Sequence, residues 1–374
     1  MKNMITVVHF IHGLNMGGAE TLVKNYALML DKSKFRVIVL CYEHYNTSPY
    51  EELLKQNGIH TIFVCDEMPL YGKKGIVAKL INRIQRYLFI RKKLRKIGPD
   101  IIHFHLPLSS YIKFARPKKN TKLFYTQHFD AHHWKETYPT DIKNMAWLKK
   151  HYSIHMIALN QLMKHDIDQM FSINDTYILN NGIDLSLFNG NFSKHEKRAA
   201  LNIPQSAFIV VHIGRFHPIK NHEFLVDTFM EIKKRRDNAL LLMVGTGETE
   251  AKIVGKLNDY SLNGSYKILH DRMDVAEILR ASDAALFPSI SEGLGIVVIE
   301  MQAAGLPCIV STAVPKDTKI SNKICYMDLN EPANKWADKL LELSNEKSPV
   351  QYTNLAEWDI RENVRQLEKL YEGV

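Results

Sequence analysis

The sequence predicts an α/β protein built from two doubly wound parallel-sheet, Rossmann-like domains. Three observations carry that expectation. The chain has 374 residues, too many for one domain of ordinary size. Short apolar, β-branched runs alternate with helical patterns along its whole length, as in sheets joined by crossover helices. The runs end in loops rich in Gly, His or charge, and in such sheets ligands bind beyond the carboxyl ends of the strands.

Met4 to Ile11 reads as the first strand, followed by a loop and by Ala19 to Leu30 with helical spacing at Leu22, Tyr26 and Leu30. Gly17-Gly18 at the helix start suits a plain helix-opening turn and equally a phosphate cradle. Val37–Cys41, Thr61–Val64, Ile101–Phe104 and Lys122–Thr126 are the next strands, with helices near 49–57 and 76–96. His103 and His105 stand at the end of one strand, and Gln127-His128 at the end of the next. In the second half a short helix near 195–201 leads to the strand Phe208–Ile213. That strand delivers Gly214-Arg215 and, five residues later, Lys220. An Arg fork and a Lys point charge in one strand-end loop can clamp a diphosphate. Leu240–Val244 ends in Gly245-Thr246-Gly247, where glycines permit close approach of a nucleotide, and Tyr266–Leu269 ends in His270-Asp271-Arg272.

The most informative stretch is S-E-G-L-G-I-V-V-I-E-M-Q-A-A-G at 291–305, which follows the apolar run Asp283–Ser289. Glu292 lies in a loop with Gly293, Leu294 and Gly295, and Ile296 to Ala304 has the composition of a buried helix whose first N–H groups are free to meet an anion. Glu300 follows Glu292 by eight residues. The pair fits a sugar nucleotide, one carboxylate for the sugar's hydroxyls and one for the ribose. It also fits a helix-opening Glu and an ordinary surface Glu.

These residues resemble the E-x7-E signature of retaining glycosyltransferases of family 4, which have the GT-B fold of two Rossmann-like domains facing a central cleft. H-I-G-R-F-H-P-I-K-N at 212–221, G-T-G-E at 245–248 and A-A-G-L-P-C-I-V at 303–310 are similar to that family in order and spacing, particularly to its exopolysaccharide and capsule branch. Asn180-Asn181-Gly182-Ile183-Asp184 resembles the family's crossing between domains, and the segment 353–374 resembles the helix that returns to the first one. The resemblance implies an acceptor-binding domain at 1–185 with 353–374 packed on it, and a nucleotide-sugar domain at 186–352. It implies transfer from a nucleoside diphosphate sugar, UDP-linked by expectation, to a hydroxyl acceptor with retention at the anomeric carbon. The residues implied in donor binding are Gly17, Gly18, Arg215, Lys220, Gly245, Arg272, Glu292, Gly293, Leu294, Gly295 and Glu300. His128, Glu292, Arg215 and Lys220 are implied in the reaction. His270 departs from the glycine usual at that position, in the loop that lies against the nucleobase. Within the same architecture an epimerase, a phosphorylase or a non-catalytic sugar-nucleotide module are the competing expectations.

No D-x-D motif follows a strand; Asp166-Ile167-Asp168 has the spelling but sits in a polar helical stretch. The resemblance accordingly implies neither a metal nor any cofactor beyond the sugar nucleotide. Four cysteines without C-x-x-C spacing argue against a disulfide framework or a structural zinc. No apolar run reaches the ~18 residues of a membrane span, and no leader peptide is evident, so a cytoplasmic protein is expected.

Charge is unevenly placed. Residues 1–185 hold 26 Lys+Arg against 15 Asp+Glu, a net of +11, whereas 186–374 hold 23 against 25, a net of −2. Between Met68 and Pro99 there are ten basic residues, from Lys73 to Lys96, and no acidic one. Ile76, Leu80, Ile84, Tyr87 and Leu88 recur there at helical spacing. The stripe reads either as the core-facing side of a helix or as a surface for an anionic membrane, which would carry a lipid-linked acceptor. Nucleic acid is not expected as a partner, because the run lacks interleaved aromatics and recognition motifs.

Overall fold

The computed structural model describes residues 4–44, 47–68 and 75–373. The chain forms two compact units, Met1–Asn181 with Arg361–Val374, and Gly182–Ile360.

The first unit contains a seven-stranded sheet in the order β3-β2-β1-β4-β5-β6-β7, with every neighbouring pair parallel. The strands are β1 (Ile5–Ile11), β2 (Phe35–Cys41), β3 (His60–Phe63), β4 (Ile101–His105), β5 (Lys122–Thr126), β6 (Ile154–Ala158) and β7 (Tyr177–Ile178). Strand order reverses between β1 and β4, so the loops leaving those two strands diverge and open a crevice at their carboxyl ends. The 353–374 segment is not one helix. Residues Leu355–Trp358 form a 3-10 turn, and the helix runs from Ile360 to Gly373. Its Tyr371 is buried against Phe35, Phe124 and His103, and its Glu368 accepts the N–H of Asp31 at 2.8 Å.

The second unit holds a six-stranded parallel sheet in the order β10-β9-β8-β11-β12-β13. Its strands are β8 (Phe208–Ile213), β9 (Ala239–Val244), β10 (Tyr266–Leu269), β11 (Ala284–Phe287), β12 (Cys308–Ser311) and β13 (Ile324–Met327). Alternate residues go to two separate cores. Phe208, Val210, Leu241 and Met243 join one, while Ile209, Val211, Leu242 and Val244 join the other. A sheet buried on both faces has no polar side to write into the sequence, which is why these strands read as continuous apolar runs. Here the order reverses between β8 and β11, the strands that deliver Arg215 with Lys220 and Glu292. At the edge of this unit, Ile183 donates to Trp358 O at 2.7 Å and accepts from the N–H of Ile360 at 2.9 Å, which pairs the two segments where the chain leaves and re-enters.

Candidate active site

In the second unit the reversal of strand order brings together residues 72 apart in sequence. Lys220 closes a 3-10 turn (Pro218–Lys220) after β8, and Glu292 sits in the loop after β11. Their side chains form an ion pair at 2.5 Å, with Glu292 only 9% exposed and Lys220 21%. The Lys220 ammonium also lies 5.0 Å over the Phe287 ring, so its stem is fixed by packing as well as by charge. Arg215, by contrast, is exposed at the mouth of the same loop. The arrangement puts one shielded cation against a carboxylate and leaves a second, exposed cation five residues earlier in the same strand-end loop.

The loop 289–295 is shaped by three devices. Leu294 is buried and anchors it; Gly295 adopts φ +76 and opens the helix Ile296–Ala303; no side chain caps that helix start. No side chain therefore competes with an anion for its first N–H groups, of which that of Val298 donates to Gly295 O at 2.8 Å. Gly293 precedes this anchor, and Glu300 is half-buried in the second turn. The helix itself is pinned by Gln302, a residue the sequence reading passed over. The fully buried Gln302 amide donates to Val298 O and Thr318 O, and its carbonyl accepts from Ile320 N at 3.0 Å and Ser321 N at 2.9 Å.

Two residues expected in donor binding, Gly245 and Arg272, also make close local contacts. A Cβ on Gly245 would stand 2.2 Å from Gly214 O, and one on Gly247 2.3 Å from Phe216 O. Both glycines are needed because the β9 loop lies directly on the β8 loop, where Phe216 N donates to Thr246 O at 2.9 Å and Thr249 N to Phe216 O at 3.1 Å. Arg272 is held by Asp274 through two hydrogen bonds, at 2.8 and 2.5 Å. Burial pushes the Asp274 carboxyl up, but Arg272 and Lys197 prevail and bring it down to about 2, so this pair stays ionised. His270 turns to Glu250 at 2.9 Å.

In the first unit, strand periodicity and register build a histidine cluster. His103 and His105 point to the same face of β4 because they are two residues apart, and His9 on β1 is the register partner of His103. The His103 and His105 rings stack at 4.3 Å, and the His9 ring lies tilted 5.2 Å from that of His103. A hydrogen-bonded chain runs from His9 Nδ1 to His105 Nε2 at 3.2 Å, then from His105 Nδ1 to His128 Nε2 at 3.0 Å. Burial pushes His9 and His128 down to about 3, and His103 and His105 well below the usual histidine range, so all four rings are neutral near pH 7. A neutral imidazole has one ring proton. Because each link joins Nδ1 to Nε2, the three linked rings share one tautomer, and the Nδ1 that His128 presents is set two links away. His9, His103 and His105 have nitrogens within 4.8 Å of one another, a spacing open to a metal. Both nitrogens of His105 are taken by this chain, however, and those of His103 by Tyr371 and Thr126. Only His9 Nε2 lacks a partner. The cluster fits a hydrogen-bonded support for His128 better than a metal centre.

Gly17 and Gly18 open the first helix of this unit. Gly17 is extended rather than left-handed, and a Cβ there would meet the Glu20 carboxylate at 2.4 Å. The surface reading of the D-x-D spelling fits the structure: Asp168 pairs with Lys164 at 2.8 Å and accepts from Thr176 N.

A family model described as Glycosyltransferase Family 4 matches residues 16–187, and one described as Glycosyl transferases group 1 matches 193–347. The chain belongs to glycosyltransferase family 4. The enzyme is thus a retaining transferase. Among its relatives, a putative glycosyltransferase EpsF of Bacillus subtilis is 28% identical over 89% of this chain and 86% of its own. A UDP-Gal:alpha-D-GlcNAc-diphosphoundecaprenol alpha-1,3-galactosyltransferase of Escherichia coli is 27% identical over 72% and 73%. Anabaena HepE, solved with UDP and glucose, superposes with a TM-score of 0.74 at 16% identity over 99% of this chain and 100% of its own. That likeness identifies the fold as GT-B.

Proposed function

We propose that the enzyme transfers a hexosyl residue from a UDP-sugar to a hydroxyl of a lipid-linked saccharide in surface polysaccharide synthesis, working at the cytoplasmic face of the membrane. The observation that carries the donor half is the pairing of Lys220 with Glu292 ahead of an uncapped helix start at the strand-order reversal of the second unit, with Arg215 exposed in the same β8 loop as Lys220. The hard part of this reaction is charge growing on the departing diphosphate, and preorganised cations and N–H groups stabilise it. Glu300, half-buried one turn into the helix, is assigned to the ribose, and Glu292 to the transferred sugar. His128 is assigned to a hydroxyl of that sugar. The relatives' names support uridine: one contains UDP-Gal, and HepE was solved with UDP. A thermal-shift series checks this. UDP and UDP-hexoses should raise the unfolding temperature, since a ligand bound only by the folded state stabilises it in proportion to its affinity. GDP and GDP-hexoses should not; a shift confined to them would overturn the base assignment.

The acceptor half rests on the helix Ile76–Ile97. Its stripe is not core-facing throughout. Tyr87, Ile90 and Leu94 are buried, but Ile76 is 86% exposed, Leu80 57%, Ile84 49% and Leu88 59%. Lys79, Arg83, Arg91, Lys92, Arg95 and Lys96 flank this ridge with no acid on the helix; Lys73 and Lys74 lie outside the described residues. No helix among the described residues is long and apolar enough to cross a membrane, so an exposed apolar ridge between cations fits a helix lying in the interface. The E. coli relative's name contains a diphosphoundecaprenol-linked acceptor, which supports the same reading. Co-sedimentation with vesicles tests it. Binding should require anionic lipid, fall as salt rises, and drop at least about tenfold when Ile76, Leu80 and Ile84 are all changed to Ser, given ~1 kcal/mol or more per inserted side chain. Equal binding to neutral vesicles, or no effect of the three substitutions, would remove the membrane from the account.

A further inference from the structure

Beside the exposed ridge the same helix lines a cavity of about 380 Å³, walled by Tyr42, Lys79, Arg83, Arg86, Tyr87 and Tyr111. Lys79, Arg83 and Arg86 recur at i, i+4 and i+7, so the three cations share one face, next to the face that carries Ile76, Leu80 and Ile84. The walls are cross-linked by ring and hydrogen-bond contacts. The Tyr42 and Tyr87 rings each lie 4.8 Å from that of Tyr111. Arg83 Nε donates to Tyr87 OH at 3.0 Å, Arg86 donates to Tyr42 OH, and the Arg86 guanidinium lies 4.9 Å over the Tyr42 ring.

The charge in this cavity is unspent. Among the described residues no carboxylate forms an ion pair with Lys79, Arg83 or Arg86; Glu43 feels the charge of Arg86 without pairing with it. Arg86 Nε is buried with no hydrogen-bond partner. A buried guanidinium N–H without an acceptor is costly, and two oriented guanidinium groups with an ammonium match the several oxygens of a phosphate better than those of one carboxylate.

We propose that this cavity holds the diphosphate of the lipid-linked acceptor, with the lipid's first apolar segment running along the neighbouring ridge. The proposal rests on the acceptor reading given above and names the group that the acceptor domain grips. Arg86, braced by Tyr42, supplies the fixed part of the clamp. The more exposed Arg83 and Lys79 close on the outer oxygens. Cavity and ridge lie side by side on one helix, so a single molecule with an anionic head and an isoprenoid tail satisfies both. A free phosphate would satisfy only the cavity, and an ordinary phospholipid brings one singly charged phosphodiester where three cations can meet the two phosphates of a diphosphate.

The test uses the full chain and three vesicle types: phosphatidylcholine alone, phosphatidylcholine with geranylgeranyl diphosphate, and phosphatidylcholine with phosphatidylglycerol at matched charge. Two double variants of equal charge change are compared, Lys79→Gln with Arg83→Gln in the cavity, and Lys92→Gln with Lys96→Gln on the same helix outside it. Both cavity positions are exposed, so loss of folding is not expected, and an unchanged unfolding temperature checks this. Wild type should prefer the diphosphate vesicles over the phosphatidylglycerol ones. The cavity variant should lose that preference by about tenfold or more, as two charge-assisted contacts to phosphate oxygens require, while the control variant keeps it. Binding that follows vesicle charge alone in wild type, or equal losses in the two variants, would overturn the proposal. UDP binding, measured on the same samples, is expected to be unchanged throughout. If UDP fails to bind while the preference for diphosphate vesicles holds, the fault lies in the donor reading and not in this site.

Discussion

Glu292→Gln is expected to lower turnover by about two to three orders of magnitude and, at the same time, to tighten binding of free UDP several-fold. The two effects have opposite signs because Glu292 has two partners at different stages. Without ligand its carboxylate neutralises Lys220 at 2.5 Å in a site where Glu292 is 9% exposed. Removing that negative charge frees the ammonium for a diphosphate and takes away a repulsion, so the ground-state nucleotide complex gains. The transition state loses, because the carboxylate assigned to the sugar no longer meets it; removal of one preorganised charged group from such a site typically costs about 10²–10³ in rate. Glu300→Ala should behave differently. A carboxylate accepting ribose hydroxyls contributes similarly before and after bond breaking, so UDP affinity should fall by about 10- to 100-fold with a smaller effect on turnover. Calorimetry with UDP on the two variants separates them. If Glu300→Ala binds UDP as wild type does, or if Glu292→Gln binds it more weakly, the two carboxylates have been given the wrong roles.

The largest effect on stability is expected from Gly247→Ala. This glycine has φ +157, and a Cβ would stand 2.3 Å from Phe216 O and 2.8 Å from Phe216 N. The obstacle is backbone, not the end of a flexible side chain, so the β8 and β9 loops must separate. Three hydrogen bonds between those loops would be stretched together, namely Gly214 N to Val244 O, Phe216 N to Thr246 O and Thr249 N to Phe216 O. A cost of about 2–4 kcal/mol follows from the strained backbone and the overpacking. In a unit of this size that lowers Tm by roughly 5–15 °C. Gly255→Ala, on a helix with nothing near its Cβ, is the matched control and should be neutral or slightly stabilising. Equal unfolding temperatures for the two variants would show that the β8 and β9 loops are not locked together as described.

Much of the fold was legible because both sheets are parallel and buried on both faces. Their inner strands, such as Val37–Cys41 and Phe208–Ile213, announce themselves as apolar runs. The edges were harder. β7 has two residues and β6 begins Ile-His, so neither offers a run long enough to read. The C-terminal helix begins at Ile360 rather than 353 because Asn354, at φ +58, turns the chain into a 3-10 segment first. In the site, the residue types at the strand ends could be read, but what each one touches depends on strand order. Nothing in the sequence joins Lys220 to Glu292 across 72 positions, or His9 to His105 across 96. The sequence offered nucleotide approach as a reason for Gly245, and the close approach of the Gly214 carbonyl is a second requirement that strand order alone creates. For the 76–97 helix, periodicity alone could not separate a core face from a membrane face, since of the five stripe positions only Tyr87 is buried and the core face runs through Ile90 and Leu94 instead.

The central claim is that Arg215 and Lys220, rather than a divalent cation, hold the diphosphate of a uridine nucleotide. Calorimetric titration of UDP in buffer containing EDTA tests it most directly, on wild type and on Arg215→Ala with Lys220→Ala. The account predicts that wild type binds UDP with EDTA present and that the double variant binds at least about 100-fold more weakly, two charge-assisted contacts being worth about 1.5–3 kcal/mol each. Binding that vanishes in EDTA and returns with magnesium or manganese, or that is the same in the double variant, would contradict it.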